Sequence, residues 1–396
     1  MAAFGPAGSL STQRILIIAV PTLLLLIFVI SAFHTGSVTA PLTAPIEAIK
    51  NGYHGIGEST DTGRRPAGFG GPESLSYGFS DMLYELYKPI KVPVTAKSYK
   101  DQRGKEFDVG GREIWKEPLG KDVLVIDLDT RKPDGKNEVF NKDKMDWETV
   151  KASGSGLLGV SHVNHFIYSQ IHGYDYKFFH AKSMEPSHHN TWIKPHVLQQ
   201  MIRDYKFVVF IDADAIIQHL EVPLEFLFNR WNISTNTSIA MPIDTQQIFE
   251  DGNNISLDSK GKIVLNSGVV ILQNLPYTHE MMTAWTECTT EKRYKGCGDW
   301  KQKWSHEQRA FSEYIRYDFN PDGNNIVEIP CNDANGYPGL KGKAGVQDDC
   351  QGEFMRHYTL DKNAAKTSVG NAVMQSMGDL LQANWAKNHG NLLIEE

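Results

Sequence analysis

The sequence predicts an α/β domain built on a mainly parallel sheet flanked by helices, preceded by one transmembrane helix and a stem. Three observations carry that expectation. Short apolar runs alternate with helical periodicities from residue 121 onward, a charge-free run fills Ile15–Phe33, and Gly, Pro, Ser and Thr punctuate the stretch between them. Strands alternating with helices argue for a parallel sheet with both faces covered. Ligands of such sheets bind outside the carboxyl ends of the strands, so chemistry is sought where an apolar run stops.

The N-terminal elements come first. Residues 1–14 form a short tail and 15–33 an anchor. A helix of that length spans about 28 Å, close to the hydrocarbon core of roughly 30 Å. A cleaved signal peptide is the competing reading, but its apolar region usually runs only about 7–15 residues. Arg14 stands just before the run and the next basic residue is Lys50, so the tail is expected in the cytosol and the body in the lumen. Residues 34–120 have little sustained periodicity apart from a short patch around Tyr77–Tyr87, and read as a stem. Residues 121–396 are the expected luminal catalytic domain.

Within that body, Asp122–Asp127 is apolar enough for a buried strand, and a charged loop follows through Lys151. Gly159–His172 has helical spacing, Tyr174–His180 reads as a strand and Trp192–Arg203 as a helix. Phe207–Ile211 is a β-branched and aromatic strand, Leu224–Arg230 a helix, Ile263–Leu272 a strand, and His306–Arg316 helical. His188-His189 reads as loop.

Composition excludes one class of partner. The net charge is −7 and no Lys/Arg-dense stripe exists, so a nucleic acid has no electrostatic footprint to bind. Asn232-Ile-Ser, Asn236-Thr-Ser and Asn254-Ile-Ser are glycosylation sequons, in keeping with a luminal body. Cys288, Cys297, Cys331 and Cys350 allow three connectivities, of which the local pairs 288–297 and 331–350 are favoured. A zinc site is disfavoured because no Cys-x-x-Cys pair occurs.

One apolar run stops informatively, at Ile211-Asp212-Ala213-Asp214. Strand alternation would put both carboxylates on one face, and two carboxylates about 4 Å apart repel by about 4 kcal/mol at an effective dielectric of 20. A buried strand end keeps such a pair only with a cation or a shared proton. Mn²⁺ or Mg²⁺ prefers oxygen ligands and leaves positions open for phosphate oxygens, so a bridge to a diphosphate is expected.

A second acidic motif, Asp127-Leu-Asp129-Thr, also ends a strand. It is similar to the first motif of the haloacid-dehalogenase phosphatases, with Asp127 as nucleophile and Asp348-Asp349 as late carboxylates. However, Arg131-Lys-Pro stands where those enzymes have a Gly-Thr turn. The favoured reading gives Asp127 and Asp129 to the nucleotide pocket.

Several motifs in order carry a resemblance. Phe210–Ile217, Asn266–Asn274, His306–Ala310, and Phe354–Tyr358 with Lys362 resemble the galactosyl/mannosyl/xylosyltransferase family of fungal and plant Golgi enzymes (glycosyltransferase family 34), as does the stretch Asn164–Lys177. The likeness spans residues 121–375 and implies a GT-A, Rossmann-type fold and retaining transfer of a hexose or pentose. The donor would be a UDP- or GDP-sugar and the acceptor a glycan or glycoprotein. By that resemblance Asp212, Asp214 and His357 hold Mn²⁺ (or Mg²⁺), and Lys362 lies near the diphosphate. Asn266, Ser267 and Gly268 border the donor sugar. Glu307 and Gln308 face the reacting centre, although the family often has Asp-Gln there. Glu307 is then expected either to orient the acceptor or to stabilise the cationic sugar. The insertion Cys288–Trp304 has no counterpart in the likeness and is expected to shape acceptor choice. A Golgi membrane location follows, with assembly into homo- or hetero-oligomers left open. The rivals are an inactive subunit of a Golgi transferase complex and a glycoside hydrolase, which needs carboxylates on opposite sides of a cleft.

Overall fold

Residues 78–154 and 156–395 are described by the structure, a computed structural model. The tail, the Ile15–Phe33 anchor and the first part of the expected stem lie outside them. Among the described residues no helix is long and apolar enough to cross a membrane.

The described chain opens with helix α1 (Phe79–Tyr87) and a small hairpin, β1 (Ser98–Lys100) against β2 (Glu106–Asp108), with Tyr99 opposite Phe107. This corrects the expected stem boundary at residue 120. Tyr87, Tyr99, Phe107 and Trp115 are buried in the same apolar cluster as one face of the main sheet. Tyr99, Phe107 and Trp115 stand singly in the sequence and carry no periodicity, yet each ring buries a large area. The folded body therefore begins near Phe79.

The remaining elements are β3 (Val123–Asp129), α2 (Leu157–His172), β4 (Asp175–His180), α3 (Ile193–Met201), β5 (Phe207–Ile211), β6 (Ala215–Ile217) and α4 (Leu224–Arg230). After these come β7 (Ile239–Pro242), β8 (Val269–Gln273), α5 (Pro276–Thr286), α6 (His306–Ala310), β9 (Ile326–Ile329), β10 (Met355–His357) and α7 (Lys362–Leu392). Six strands form the central sheet in the order β4-β3-β5-β8-β7-β9. Only β8 runs against its neighbours, so the sheet is mainly parallel as expected. Its central strands show period-2 alternation into two cores: Val123, Val125, Phe207, Val209 and Ile211 into one, Leu124, Ile126, Val208 and Phe210 into the other.

Local chemistry sets the ends of these elements. Gly173 closes α2 at φ 76°, a left-handed cap that glycine adopts without strain. Pro276 occupies the first turn of α5, where a missing N–H costs nothing. Strand β8 is shorter than the expected 263–272, because the Asn266 side chain accepts from Gly268 N at 2.8 Å and turns the chain before Val269. Helix α6 keeps α geometry only to Ala310 and then widens into a π-turn over Phe311–Ile315, where Ser312 Oγ donates to Gln308 O. Both expected cysteine pairs are joined, Cys288 to Cys297 and Cys331 to Cys350. Asn232 and Asn236 are exposed and Asn254 is half-buried.

Candidate active site

Strand β5 delivers Asp212 and Asp214, but not by strand alternation. The chain leaves β5 in a tight turn, with Ala215 N donating to Asp212 O at 2.9 Å, and re-enters as β6. The turn, rather than a pleat, brings the two carboxylates together. Two other segments dock on it. Asp212 N donates to Gly268 O at 2.7 Å, seating the Asn266–Gly268 loop, and β10 pairs with β6 so that His357 lies opposite Ala215. Tyr358 N then donates to Asp214 O at 2.8 Å.

The result is a compact donor set. His357 Nε2 lies 3.3 Å from Asp214 Oδ1 and 3.9 Å from Asp212 Oδ2, and one ligand atom from each of the three residues lies within 4.8 Å of the others. Two carboxylates and an imidazole suit a small divalent cation. A β-carbon at Gly268 would come 2.2 Å from His357 Cε1, so only glycine lets the ring take this place.

Two lysines flank the acids. Lys362 Nζ lies 3.2 Å from Asp214 Oδ2 and stays half exposed. Lys194, from the first turn of α3, donates to Asp212 Oδ2 at 2.9 Å and to Ser267 O at 3.3 Å, and lies 3.8 Å from Glu307 Oε1. Burial pushes the Lys194 ammonium down, but Asp212 and Glu307 outweigh it and hold the group above the usual lysine range. Burial raises Asp212, only partly offset by Lys194. For Asp214, His357 and Lys362 overcome burial and hold the carboxyl well below the usual range. Two chemically identical groups thus sit in opposite electrostatic states.

Glu307 and Gln308 reach the same loop. Ser267 Oγ donates to Glu307 Oε1 at 2.8 Å, and Ser267 N to Gln308 Oε1 at 3.2 Å. Gln308 Nε2 donates in turn to Asp244, which also accepts from Asn266 Nδ2 and Asn335 Nδ2. Glu307 Oε2 is buried without any partner, a costly state for a carboxylate oxygen unless a ligand meets it.

Asp127 lies elsewhere, which corrects its assignment to direct donor contact. It is 3% exposed, and its oxygens accept from His165 Nδ1 at 2.7 Å and from the Tyr176 hydroxyl. His165 Nε2 also donates to Ala215 O at 2.7 Å. Both ring nitrogens therefore carry protons, and Asp127 balances a buried imidazolium that supports the start of β6. No free oxygen remains for a phosphatase nucleophile. Asp348 is likewise occupied, by Gln246 N. Asp129 stands at the exit of β3 in an ion pair with Arg131, 2.7 Å apart.

Lys194, His165 and Asp244 were not found from the sequence. Asp244 had a signal, since it ends the apolar run Ile239–Ile243 just as Asp212 ends β5. Lys194 had none: it is one lysine in an otherwise ordinary helical pattern.

The sequence pattern of the galactosyl transferase GMA12/MNN10 family matches residues 139–354, more than half of the chain. No curated protein matches the chain. Among solved structures it is similar to a glycosyltransferase involved in glycosylation of the major capsid of PBCV-1, at 10% identity and a TM-score of 0.39 over 63% of this chain and 98% of that one. Mouse xyloside xylosyltransferase 1 aligns at 10% identity and a TM-score of 0.34, over 61% of this chain and 98% of its own. The galactosyltransferase LgtC aligns at 12% identity and a TM-score of 0.32, over 64% and 95%. The match across Asp212, Asp214, Ser267 and Glu307 places the chain in the galactosyl transferase GMA12/MNN10 family, and it is a glycosyltransferase.

Proposed function

We propose that the chain, on a GT-A-type sheet, moves a hexose or pentose from a UDP- or GDP-sugar to a glycan acceptor with retention of configuration. The observation that supports this most is the meeting of Asp212, Asp214 and His357 beside two lysines. Asp212, Asp214 and His357 would hold Mn²⁺ or Mg²⁺, which when bound supplies positive charge for a diphosphate leaving group. Lys362 adds a mobile positive charge at the same place. Asp129 with Arg131, at the exit of β3, borders the nucleotide. Asn266 and Ser267 border the sugar, and Glu307 Oε2 faces it as a fixed negative charge for the cationic sugar.

In transfer, the bond from the anomeric carbon to the phosphate oxygen breaks and the acceptor oxygen bonds to that carbon from the same face. The acceptor's proton passes to the departing phosphate, so no side-chain base is required. The acidic pair lies on one side of the site, whereas a hydrolase would place its carboxylates across a cleft. We further propose a type II Golgi membrane protein anchored by Ile15–Phe33, a reading supported by the exposed sequon asparagines Asn232 and Asn236 and the two joined cysteine pairs.

The test is nucleotide release from UDP- and GDP-sugars by the full-length protein with Mn²⁺. Asp214→Asn should lower turnover at least about a hundredfold while the unfolding midpoint holds. Near-wild-type turnover in that variant overturns the site. For topology, the body should be protease-protected in sealed microsomes and lose mass with glycosidase.

A further inference from the structure

The segment leading into Glu307 is held unusually firmly. Cys288 and Cys297 are joined and buried, and the following turn is strapped to the segment before α3. His189 N donates to Lys301 O at 2.8 Å, Trp192 Nε1 to Trp300 O at 3.0 Å, and Gln302 Nε2 to Pro186 O at 3.0 Å. The rings of His189 and His306 stack with centroids 3.7 Å apart and planes within 5°. Burial and the neighbouring His189 hold His306 below the ordinary histidine range, so it presents a neutral ring at neutral pH. Both halves of the strap end at the site, since His306 precedes Glu307 and the other half leads into Lys194.

Trp304 stands on this support. Its side chain is 55% exposed, and among the described residues no hydrogen bond or ring contact engages the indole. Three Cα steps separate it from Glu307, at most about 11 Å. A large exposed aromatic is common enough alone, but one fixed on a braced loop beside a reaction centre has little freedom left to lose on binding. Its broad apolar face suits the C–H face of a pyranose.

Resting on the transfer reading above, we propose that Cys288–Ser305 and the His189–His306 ring pair form the acceptor subsite, with Trp304 stacking on a ring of an oligosaccharide. The test uses the full-length protein with mannohexaose, glucohexaose and galactohexaose as probes, binding being read by saturation-transfer NMR without turnover. Trp304→Ala should weaken the best probe at least about tenfold, and Trp304→Phe should keep it within about threefold, with unfolding midpoints confirming the fold. In transfer assays the loss should fall on the acceptor KM rather than the donor KM. Equal affinity in Trp304→Ala and wild type overturns the proposal, as does a wild type that binds none of the probes. A wild type that binds through Trp304 but releases no nucleotide from any donor sinks the transfer reading and leaves the glycan subsite standing.

Discussion

Gly268 and His357 are packed so closely that a methyl group on the glycine would come 2.2 Å from imidazole Cε1 and 2.7 Å from Nδ1. The loop between two strands thus sets where the His357 imidazole can stand. Gly268→Ala must push the ring away or open the loop. Overpacking of this kind costs about 1–3 kcal/mol. Mn²⁺ affinity, followed by the free-ion resonance signal, should fall at least about tenfold while the protein stays folded. Unchanged affinity would mean that His357 is not a ligand.

Lys194 occupies the acidic pair's own charge in the absence of a cation. Lys194→Met keeps the apolar stem but leaves Asp212 and Glu307 without their cation. The metal-free protein should lose up to about 3 kcal/mol, toward the low side for a broken buried pair because Asp212 retains some water contact. Mn²⁺ should then raise the unfolding midpoint more in the variant than in wild type, since the ion replaces the missing charge. An equal rise in both proteins would argue against competition for Asp212.

Acid sensitivity has an identifiable source in His172. The ring is buried, Nε2 donates to Leu220 O at 2.8 Å, and burial together with Lys91 pushes its pKa down to about 3. Unfolded, the same ring titrates near 6.5. Between those values the unfolded chain binds more protons than the folded one. Stability is therefore fully present above about pH 6.5 and is lost as pH falls toward 3, by up to about 1.4 kcal/mol per unit. His172→Gln, which keeps a donor for Leu220, should flatten the denaturation-midpoint profile across that window. A profile parallel to wild type would assign the sensitivity elsewhere.

Asp127 separates support from chemistry. Asp127→Asn removes the charge that balances the buried His165 imidazolium, so the unfolding midpoint should drop by the equivalent of roughly 2–4 kcal/mol. The effect on Mn²⁺ affinity should be much smaller than that of Gly268→Ala, because Asp127 touches β6 only through His165. A stable Asp127→Asn protein with abolished turnover would return the phosphatase reading to contention.

The elements legible in the sequence were those whose burial is continuous. Phe207–Ile211 and Leu224–Arg230 coincide with the expected strand and helix because the first is apolar throughout and the second is buried from Leu224 to Asn229 around an apolar majority. The region 79–120 was misassigned because its periodicity stops at Tyr87, and the buried residues beyond it are single side chains in turns and a two-strand hairpin, which leave no further period to detect. At the site, residue identities were readable and geometry was not. Asp212 and Asp214 attract notice as carboxylates ending an apolar run, yet a turn joins them, and whether Asp127 faces a cleft or the interior depends on His165 and Tyr176, far away in the chain. Lys194 gains its meaning only from the acids that surround it.

The pairing of β10 with β6 also fixes when, in the life of the chain, the acidic turn can become a cation site. Ribosomes and translocons deliver polypeptide from the N-terminus, so Asp212 and Asp214 emerge well before His357 does. Until the strand Met355–His357 arrives and docks beside Ala215, the turn lacks its imidazole and Lys362 is absent altogether. A nascent chain therefore passes through the synthesis of residues 215–356 with both carboxylates made but no complete ligand set to trap a metal ion. Message truncated anywhere between these segments yields a chain that carries both carboxylates and lacks His357 and Lys362.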